Sequence, residues 1–225
     1  PDAPNRVKVV MEVKEKLYFF SLPIFYLADR NFSEWWYERG RDLRRTTYGL
    51  NTHHDNLTGN NDKMQLRLYG GFIPYYELTY GRPYIDKKQK HGLAIQLTYA
   101  DQKTIPIKSE DNRQVFYSNE TEDVLRKNFS TALRYTHRRT FYNYHFLTLG
   151  YNRTWVSPDV LLENPEYFQH DSQNLRYLYL QYSFRHDKRD NIAYATSGEL
   201  LQLTGTKYGL LPREDLNELE LNLVA

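Results

Sequence analysis

The chain has no cysteine. Disulfide staples and Cys-based metal sites are therefore excluded, and an oxidising compartment is permitted without being indicated. It also lacks any run near the roughly 18 consecutive apolar residues that a membrane helix needs. Formal net charge is only +2, which gives no basic field for nucleic acid. There is no G-x-S-x-G, no H-E-x-x-H and no phosphate-cradling glycine loop, so the common hydrolase, zinc-protease and nucleotide chemistries have nothing to stand on. Low-complexity tracts and strong repeats are missing too. No charged-then-apolar leader follows Pro1, so any secretory signal is expected to have been removed or to lie upstream.

Aromatic residues are abundant instead. There are 21 Tyr, 11 Phe and 3 Trp, 16% of the chain. Tyr and Trp favour places where one end of the ring is dry and the other wet. Membrane interfaces meet that condition, and so do soluble β-sandwiches and sugar-binding surfaces. The mean hydropathy of −0.78 does not separate these, because a transmembrane barrel alternates apolar with polar residues and keeps its average low.

That alternation is the dominant signal. Met64, Leu66, Leu68 and Phe72 are apolar, with Gln65, Arg67 and Tyr69 between them. Leu93, Ile95, Leu97 and Tyr99 interleave with Ala94, Gln96 and Thr98, and Leu178, Leu180, Tyr182 and Phe184 with Tyr179, Gln181, Ser183 and Arg185. Phe129, Leu133 and Tyr135, then Leu219, Leu221 and Leu223, repeat the pattern. A period of two marks strands with two unlike faces. Strands are expected over 16–28, 44–56, 62–72, 74–84, 91–102, 125–138, 142–155, 174–187, 197–208 and 216–225. They exceed the roughly 5 to 6 residues of a typical soluble strand and suit a tilted membrane strand of about 9 to 11 residues.

The connections point the same way. Segments 57–61, 85–90, 139–141 and 188–196 are short, whereas 29–43, 103–124, 156–173 and 209–215 are longer, with a tight turn near Gly71–Ile73 as the exception. Short turns at one rim and long loops at the other are the outer-membrane arrangement. Lys87, Lys88, Lys90, Arg138, Arg139, Lys188 and Arg189 gather on the short-turn side, while loop 156–173 holds Asp159, Glu163, Glu166 and Asp171 and no Lys or Arg. Residues 1–15 differ: Val7, Val9, Met11 and Val13 alternate with charges and no aromatics, as a strand of a small soluble domain would.

Candidate sites are few. His53 and His54 are adjacent, so in a strand they point to opposite faces and make a poor metal pair. Asp187, Lys188, Arg189 and Asp190 read as a charged turn rather than an acid–base cluster. Trp35 and Trp36 are either interface anchors or packed under a loop. Arg67, Glu77, Arg134 and Arg185 are expected to face a barrel lumen, as a polar conduit or as a salt-bridged, water-filled interior.

Several of these segments resemble a known family in order. Asp55-Asn56-Leu57-Thr58-Gly59-Asn60 resembles the turn between the second and third barrel strands of BamA-type proteins of the bacterial surface-antigen superfamily. Tyr76-Glu77-Leu78 with Pro83-Tyr84-Ile85 resembles the next strand and its exit, and Gly92 opens the strand after it. Asp187-Lys188-Arg189-Asp190-Asn191 with Thr196-Ser197-Gly198 resembles a turn near the barrel's middle, although Ala195 stands where the family usually has Pro. Val7–Glu15 resembles the final strand of a POTRA domain, and Ala28–Phe32 with Trp35-Trp36 resembles first-strand sequence.

The resemblance implies an all-β fold: an antiparallel transmembrane barrel of about ten strands out of a presumed sixteen, over residues 16–225, preceded by a POTRA-like end at 1–15. The Arg-Gly-Phe/Tyr motif of the family's lumen loop does not occur in this segment. The chain is expected to be a partial barrel, or one completed by another chain, because a ten-stranded open sheet would leave bare edges in lipid. The family's barrel closes by a weak seam between first and last strands. Mapped here, the seam strand carries Leu17, Tyr18, Phe19, Phe20, Ser21, Leu22, Pro23, Ile24 and Phe25. The implied function is insertion of outer-membrane proteins by strand addition at that edge, with no catalytic residue and no cofactor. The implied location is the outer membrane of a Gram-negative bacterium. Implied partners are outer-membrane lipid, unfolded outer-membrane client proteins, periplasmic chaperones and accessory lipoproteins. The alternatives are a translocation pore of the same superfamily, the barrel anchor of a patatin-like lipase, and a soluble aromatic-rich β-sandwich that binds ligands such as glycans.

Overall fold

A computed structural model of the chain describes residues 9–13, 15, 17–28, 31–38, 40–110, 113–119, 123–168 and 172–225. Its strands are β1 (Phe19–Leu27), β2 (Thr46–Asp55), β3 (Lys63–Gly71), β4 (Tyr75–Arg82), β5 (His91–Gln102), β6 (Ile105–Glu110), β7 (Arg113–Tyr117), β8 (Arg126–Arg138), β9 (Asn143–Val156), β10 (Asn174–Asp187), β11 (Leu200–Tyr208) and β12 (Glu218–Val224), with one short helix α1 (Pro158–Glu163). Ten of them form a single antiparallel sheet in the order β1-β2-β3-β4-β5-β8-β9-β10-β11-β12. Each strand pairs with its neighbour in sequence, except that the β6–β7 hairpin is set aside between β5 and β8. Among the described residues no second sheet packs face to face on the first, which removes the sandwich alternative.

The registers sort the side chains onto two faces. Asn51, Arg67, Glu77, Thr98, Ser130 and Asn152 lie in one row across β2 to β9. The neighbouring row on the opposite face runs Leu50, Leu68, Tyr76, Tyr99 and Phe129. The polar face is the more enclosed: Glu77, Thr148, Ser183 and Thr206 are buried, as they would be on the inner wall of a curved sheet. The apolar face is open. Leu133 is 51% exposed, Leu149 47% and Leu203 48%. A soluble monomer rarely shows a contiguous apolar patch beyond a few hundred Å², and this one crosses every strand of the sheet.

The strand ends differ from the sequence reading in few places. β1 starts at Phe19, although the Tyr18 carbonyl still accepts from Asp55 N–H at 2.7 Å; Leu17 lies outside the strand. β3 stops at Gly71, whose φ of +91° turns the chain before Phe72. β11 begins at Leu200 rather than 197, because Thr196 and Ser197 give their backbone N–H groups to Asp190. Most of the expected POTRA-like strand at 1–15 lies outside the described residues, and Val9–Val13 forms no strand.

The two longest connections, expected as plain loops, carry structure of their own. Ile105, Ile107, Leu125, Val156 and Val160 form a buried cluster, with Val115, Tyr117, Leu161, Tyr167 and Phe168 packed around it. The β6–β7 hairpin and α1 thus share a small core at the long-loop rim. Pro158 at the start of α1 suits a first helical turn, and Asn164 Nδ2 donates to the Ile107 carbonyl at 2.6 Å. Ile105→Ala is expected to destabilise this cap by about 2–4 kcal/mol. Hydrogen exchange should speed up in β6, β7 and α1 while the β8–β9 amides keep their protection; equal loss in β8 and β9 would show that the cap is not a separate unit.

Candidate functional site

The first strand departs furthest from this division into two faces. Phe20, Leu22, Ile24 and Tyr26 pair with His53, Asn51, Gly49 and Thr47, so they belong to the polar face, yet they are apolar or aromatic. Phe19, Pro23, Phe25 and Leu27 lie on the apolar face. β1 is therefore apolar on both sides, and Phe19, Leu22, Phe25 and Tyr26 are all exposed.

Its backbone is half used. In an antiparallel pair, residues alternate between exchanging hydrogen bonds with the partner strand and pointing away from it. Asp55 N–H donates to the Tyr18 carbonyl, and Ala28 N–H donates to the Arg45 carbonyl at 2.8 Å. Hence the even-numbered residues bond β2, and the odd-numbered ones face the open edge. That edge presents the N–H groups of Phe19, Ser21, Phe25 and Leu27, and the carbonyls of these residues and of Pro23. Pro23 has no N–H to give, and its gap falls on the open edge rather than in the β1–β2 ladder. The sheet loses nothing by it. The Ser21 hydroxyl lies 2.9 Å from the Thr52 hydroxyl and pins the two strands together.

The polar face holds a network. Glu77 Oε1 accepts from Arg67 Nη1 at 3.0 Å, and Glu77 Oε2 accepts from the Tyr75 hydroxyl at 2.5 Å and from Gln96 Nε2 at 3.0 Å. Arg134 Nε donates to the Thr148 hydroxyl at 3.3 Å. The Arg185 guanidinium lies over Tyr144 and Phe146 at 5.2 and 5.3 Å. The register places Arg67, Glu77, Arg134 and Arg185 on the same face, but they form separate groups rather than one cluster. Between them the Tyr179 ring sits on Gly150, where an added Cβ would come within 2.3 Å of Cζ. Only glycine lets that ring lie flat on the wall.

His53 and His54 do point apart: His53 stacks on Phe20 at 4.8 Å and lies 3.2 Å from the Gln65 side-chain amide, whereas His54 tilts against Phe19 on the apolar face. Trp35 is packed under its loop, with Nε1 donating to the Asp42 carbonyl at 3.0 Å. Trp36 lies in the same aromatic group, with Arg41 over its ring at 3.9 Å.

The motif turns are built from side-chain caps. Asn56 and Gly59 have positive φ, and the Asp62 carboxylate accepts from the Thr58 N–H and hydroxyl at 3.0 Å each. The exit motif Pro83-Tyr84 runs beside Gly92, and Arg138 lies over the Tyr84 ring at 5.4 Å. Arg189 forms a two-pronged pair with Asp187 at 2.8 and 2.9 Å. Asp190 accepts from the Thr196 hydroxyl at 2.5 Å and from the N–H groups of Thr196 and Ser197 at 3.0 and 3.1 Å. Gly198, at φ +102°, then closes the turn against the Lys188 carbonyl. A charged turn is what the geometry shows. The two-sided apolarity of β1 was readable in Phe20, Leu22 and Ile24 but escaped the reading, because Ser21 and Pro23 break the alternation around it.

No protein-family model and no curated protein matches the sequence. Among solved structures, the chain is similar to the crystal structure of BamA from Haemophilus ducreyi lacking POTRA domains 1-3, with a TM-score of 0.57 and 14% identity over 93% of this chain. The chain spans 37% of that structure's length. At this identity the likeness shows the fold: the ten-stranded sheet is of the BamA barrel type.

The Asp190 turn yields a pH expectation. Hydrogen bonds from Thr196 and Ser197 hold its carboxyl down at about 2, against an ordinary 3.8. A depressed carboxyl stabilises the folded turn above its unfolded pKa, and the benefit disappears as pH falls through the folded value. The amides of Thr196 and Ser197, after correction for intrinsic exchange, should stay protected down to about pH 4 and lose protection toward pH 2. Asp190→Asn should abolish this pH dependence; the same profile in the variant would show that another group sets it.

Proposed function

We propose that this chain is part of the wall of an outer-membrane β-barrel in a Gram-negative bacterium, and that the barrel assembles other outer-membrane proteins with β1 as the template strand. One observation carries the reading: β1 is an edge strand with usable backbone groups, a built-in gap at Pro23 and apolar side chains on both faces. A strand fixed in a barrel wall meets lipid on one side and lumen on the other. A strand that swings out of the wall meets lipid on both, and β1 alone is composed for that.

Lipid cannot satisfy an unpaired N–H or C=O, each of which costs several kcal/mol there. A client strand that adds to β1 is paired as it enters, so its backbone is never bare in the hydrocarbon. The Pro23 gap lowers the number of bonds any closing strand can make and keeps the seam weak enough to exchange. The chemistry is template-directed and uses no catalytic residue or cofactor. Unfolded outer-membrane proteins are the expected clients, delivered by periplasmic chaperones, with accessory lipoproteins and a POTRA-like segment at 1–15 on the periplasmic side.

Proline scanning of β1 tests the template. Phe25→Pro removes a donor from the open edge and leaves the β2 ladder whole, so client folding into liposomes should slow severalfold at unchanged thermal stability. Ile24→Pro removes a ladder bond to β2 and should destabilise β1 by about 1–3 kcal/mol. If Phe25→Pro assembles clients at the normal rate, the open edge is not the template.

The membrane assignment has its own test. Leu149→Arg, on the open apolar face, should destabilise the protein in bilayers by about 2–4 kcal/mol, measured by urea unfolding. Gln202→Arg, on the polar face, should have a much smaller effect. Equal effects would place both faces in water.

A further inference from the structure

Histidine is unevenly placed on this sheet. The registers set His91, His137 and His145 side by side in one row across β5, β8 and β9. The next row on the same face is Leu93, Tyr135 and Leu147, so the histidines stand on the open apolar face, at the short-turn ends of β5 and β8. Their rings stack. His91 and His137 are 5.0 Å apart with 6° between their planes, and His137 and His145 are 6.0 Å apart. Parallel rings do not aim their nitrogens at one point, and among the described residues no three His, Cys, Asp or Glu are grouped to hold a metal ion. Two hydroxyls orient the outer rings: Nδ1 of His91 lies 2.5 Å from the Tyr135 hydroxyl, and Nδ1 of His145 lies 2.8 Å from the Tyr182 hydroxyl. With those hydroxyls donating, the ring proton sits on Nε2, and neither Nε2 has a partner among the described residues. The charge around the row is mostly positive. The β4–β5 and β8–β9 turns carry Lys87, Lys88, Lys90 and Arg139 against one acid, Asp86. The Asp86 carboxylate is turned to the N–H groups of Lys90 and His91, at 2.9 and 2.8 Å. From β4, Arg82 pairs with Leu93 on the row's face. From β10, His186 shares that face beside Asn143, and Glu199 lies 3.4 Å from both His186 and Lys188.

We infer that the His91–His137–His145 row is a docking surface for the head group of an anionic phospholipid in the leaflet on the short-turn side, and that it holds this lipid more tightly as pH falls. The inference rests on the membrane reading above. Leu93, Ile95 and Leu147 meet the acyl chains, so a phospholipid lying along this face brings its phosphate level with the histidines. The Nε2–H groups of His91 and His145 donate to phosphate oxygens. Imidazole changes charge between about pH 8 and pH 5, and cations stacked this closely repel one another. A phosphate seated on the stack relieves that repulsion, so proton uptake and lipid binding favour each other. Lys87 and Lys88 attract an anionic leaflet at every pH in that range, which favours a head group with net negative charge over a zwitterionic one.

The test uses the full chain in phosphatidylcholine bilayers with trace spin-labelled phosphatidylglycerol or phosphatidylcholine. Electron paramagnetic resonance separates lipid immobilised on the protein from bulk lipid and gives the preference for one head group over the other. The preference for phosphatidylglycerol should be about threefold greater at pH 5.5 than at pH 8. The variant H91Q/H137Q/H145Q should lose that pH dependence and keep the preference seen at pH 8. His137 makes ring contacts alone, so H137Q disturbs the fold least; it should roughly halve the pH-dependent part and serves if the triple variant does not fold. The variant K87Q/K88Q should lower the preference at both pH values alike. Wild-type pH dependence in the histidine variants would overturn the row as the site. A preference that is the same at both pH values would leave the turn lysines as its source and overturn the histidine role, and no preference at either pH would overturn the lipid assignment. Absence of any immobilised lipid would sink the membrane reading and this inference together, whereas immobilised lipid without head-group preference sinks the inference alone.

Discussion

Everything in this structure turns on where backbone N–H and C=O groups find partners. Inside the sheet each strand serves both neighbours, and the ladder runs without a crossover from β1 to β12. Within the ten-stranded sheet, only β1 and β12 have a single strand neighbour. In water such an edge is a liability that solvation relieves; in hydrocarbon nothing relieves it. On the membrane reading proposed above, the open apolar face meets hydrocarbon. The two edges are then the places of highest free energy in the fold, and any function that depends on strand exchange has to reside at one of them.

The two edges are not equivalent. β12 keeps the alternation, with Leu219, Leu221 and Leu223 on the apolar face and Glu218, Glu220 and Asn222 on the other. Its composition is that of an ordinary wall strand. β1 abandons the alternation and places its proline where only the open edge loses a donor. Both features weaken commitment to one environment and one partner. The polar face argues in the same direction by contrast: Glu77 takes hydrogen bonds from Arg67, Tyr75 and Gln96, so that part of the wall is locked. This network cross-links β3, β4 and β5, whereas β1 is held by β2 alone.

The strands were legible because one face of the sheet stays apolar from end to end, so alternation along 93–99 or 178–184 persists over the whole strand. Arg67, Glu77, Arg134 and Arg185 fell on one face for the same reason: period two fixes side once the strand is known. The cap was not legible. Ile105, Ile107 and Val115 belong to strands too short for periodicity to show, and their core forms only when α1 arrives from another connection. β1 was placed correctly as a strand, yet its double face was obscured by Ser21 and Pro23, which resemble polar interruptions. In space Ser21 bonds Thr52 across the strand pair on the apolar face.

The cap stands beside a gap in the same rim, above the short β3–β4 connection at 72–74. Closing the long-loop rim with a packed unit of β6, β7 and α1 holds Lys103 and Ser118 at the base of the hairpin, and the bare turn at 72–74 leaves the space beside them open. A longer β3–β4 connection would fill that space. Gly71, at φ +91°, lets the chain reverse immediately after β3, with Phe72 N–H donating to the Thr46 carbonyl at 2.8 Å. The turn is therefore short because its backbone is already satisfied by β2. The same bond ties the β3–β4 turn to β2, whose Thr46 pairs with Leu27 at the end of β1, so this stretch of rim and the edge strand belong to one connected piece of the sheet.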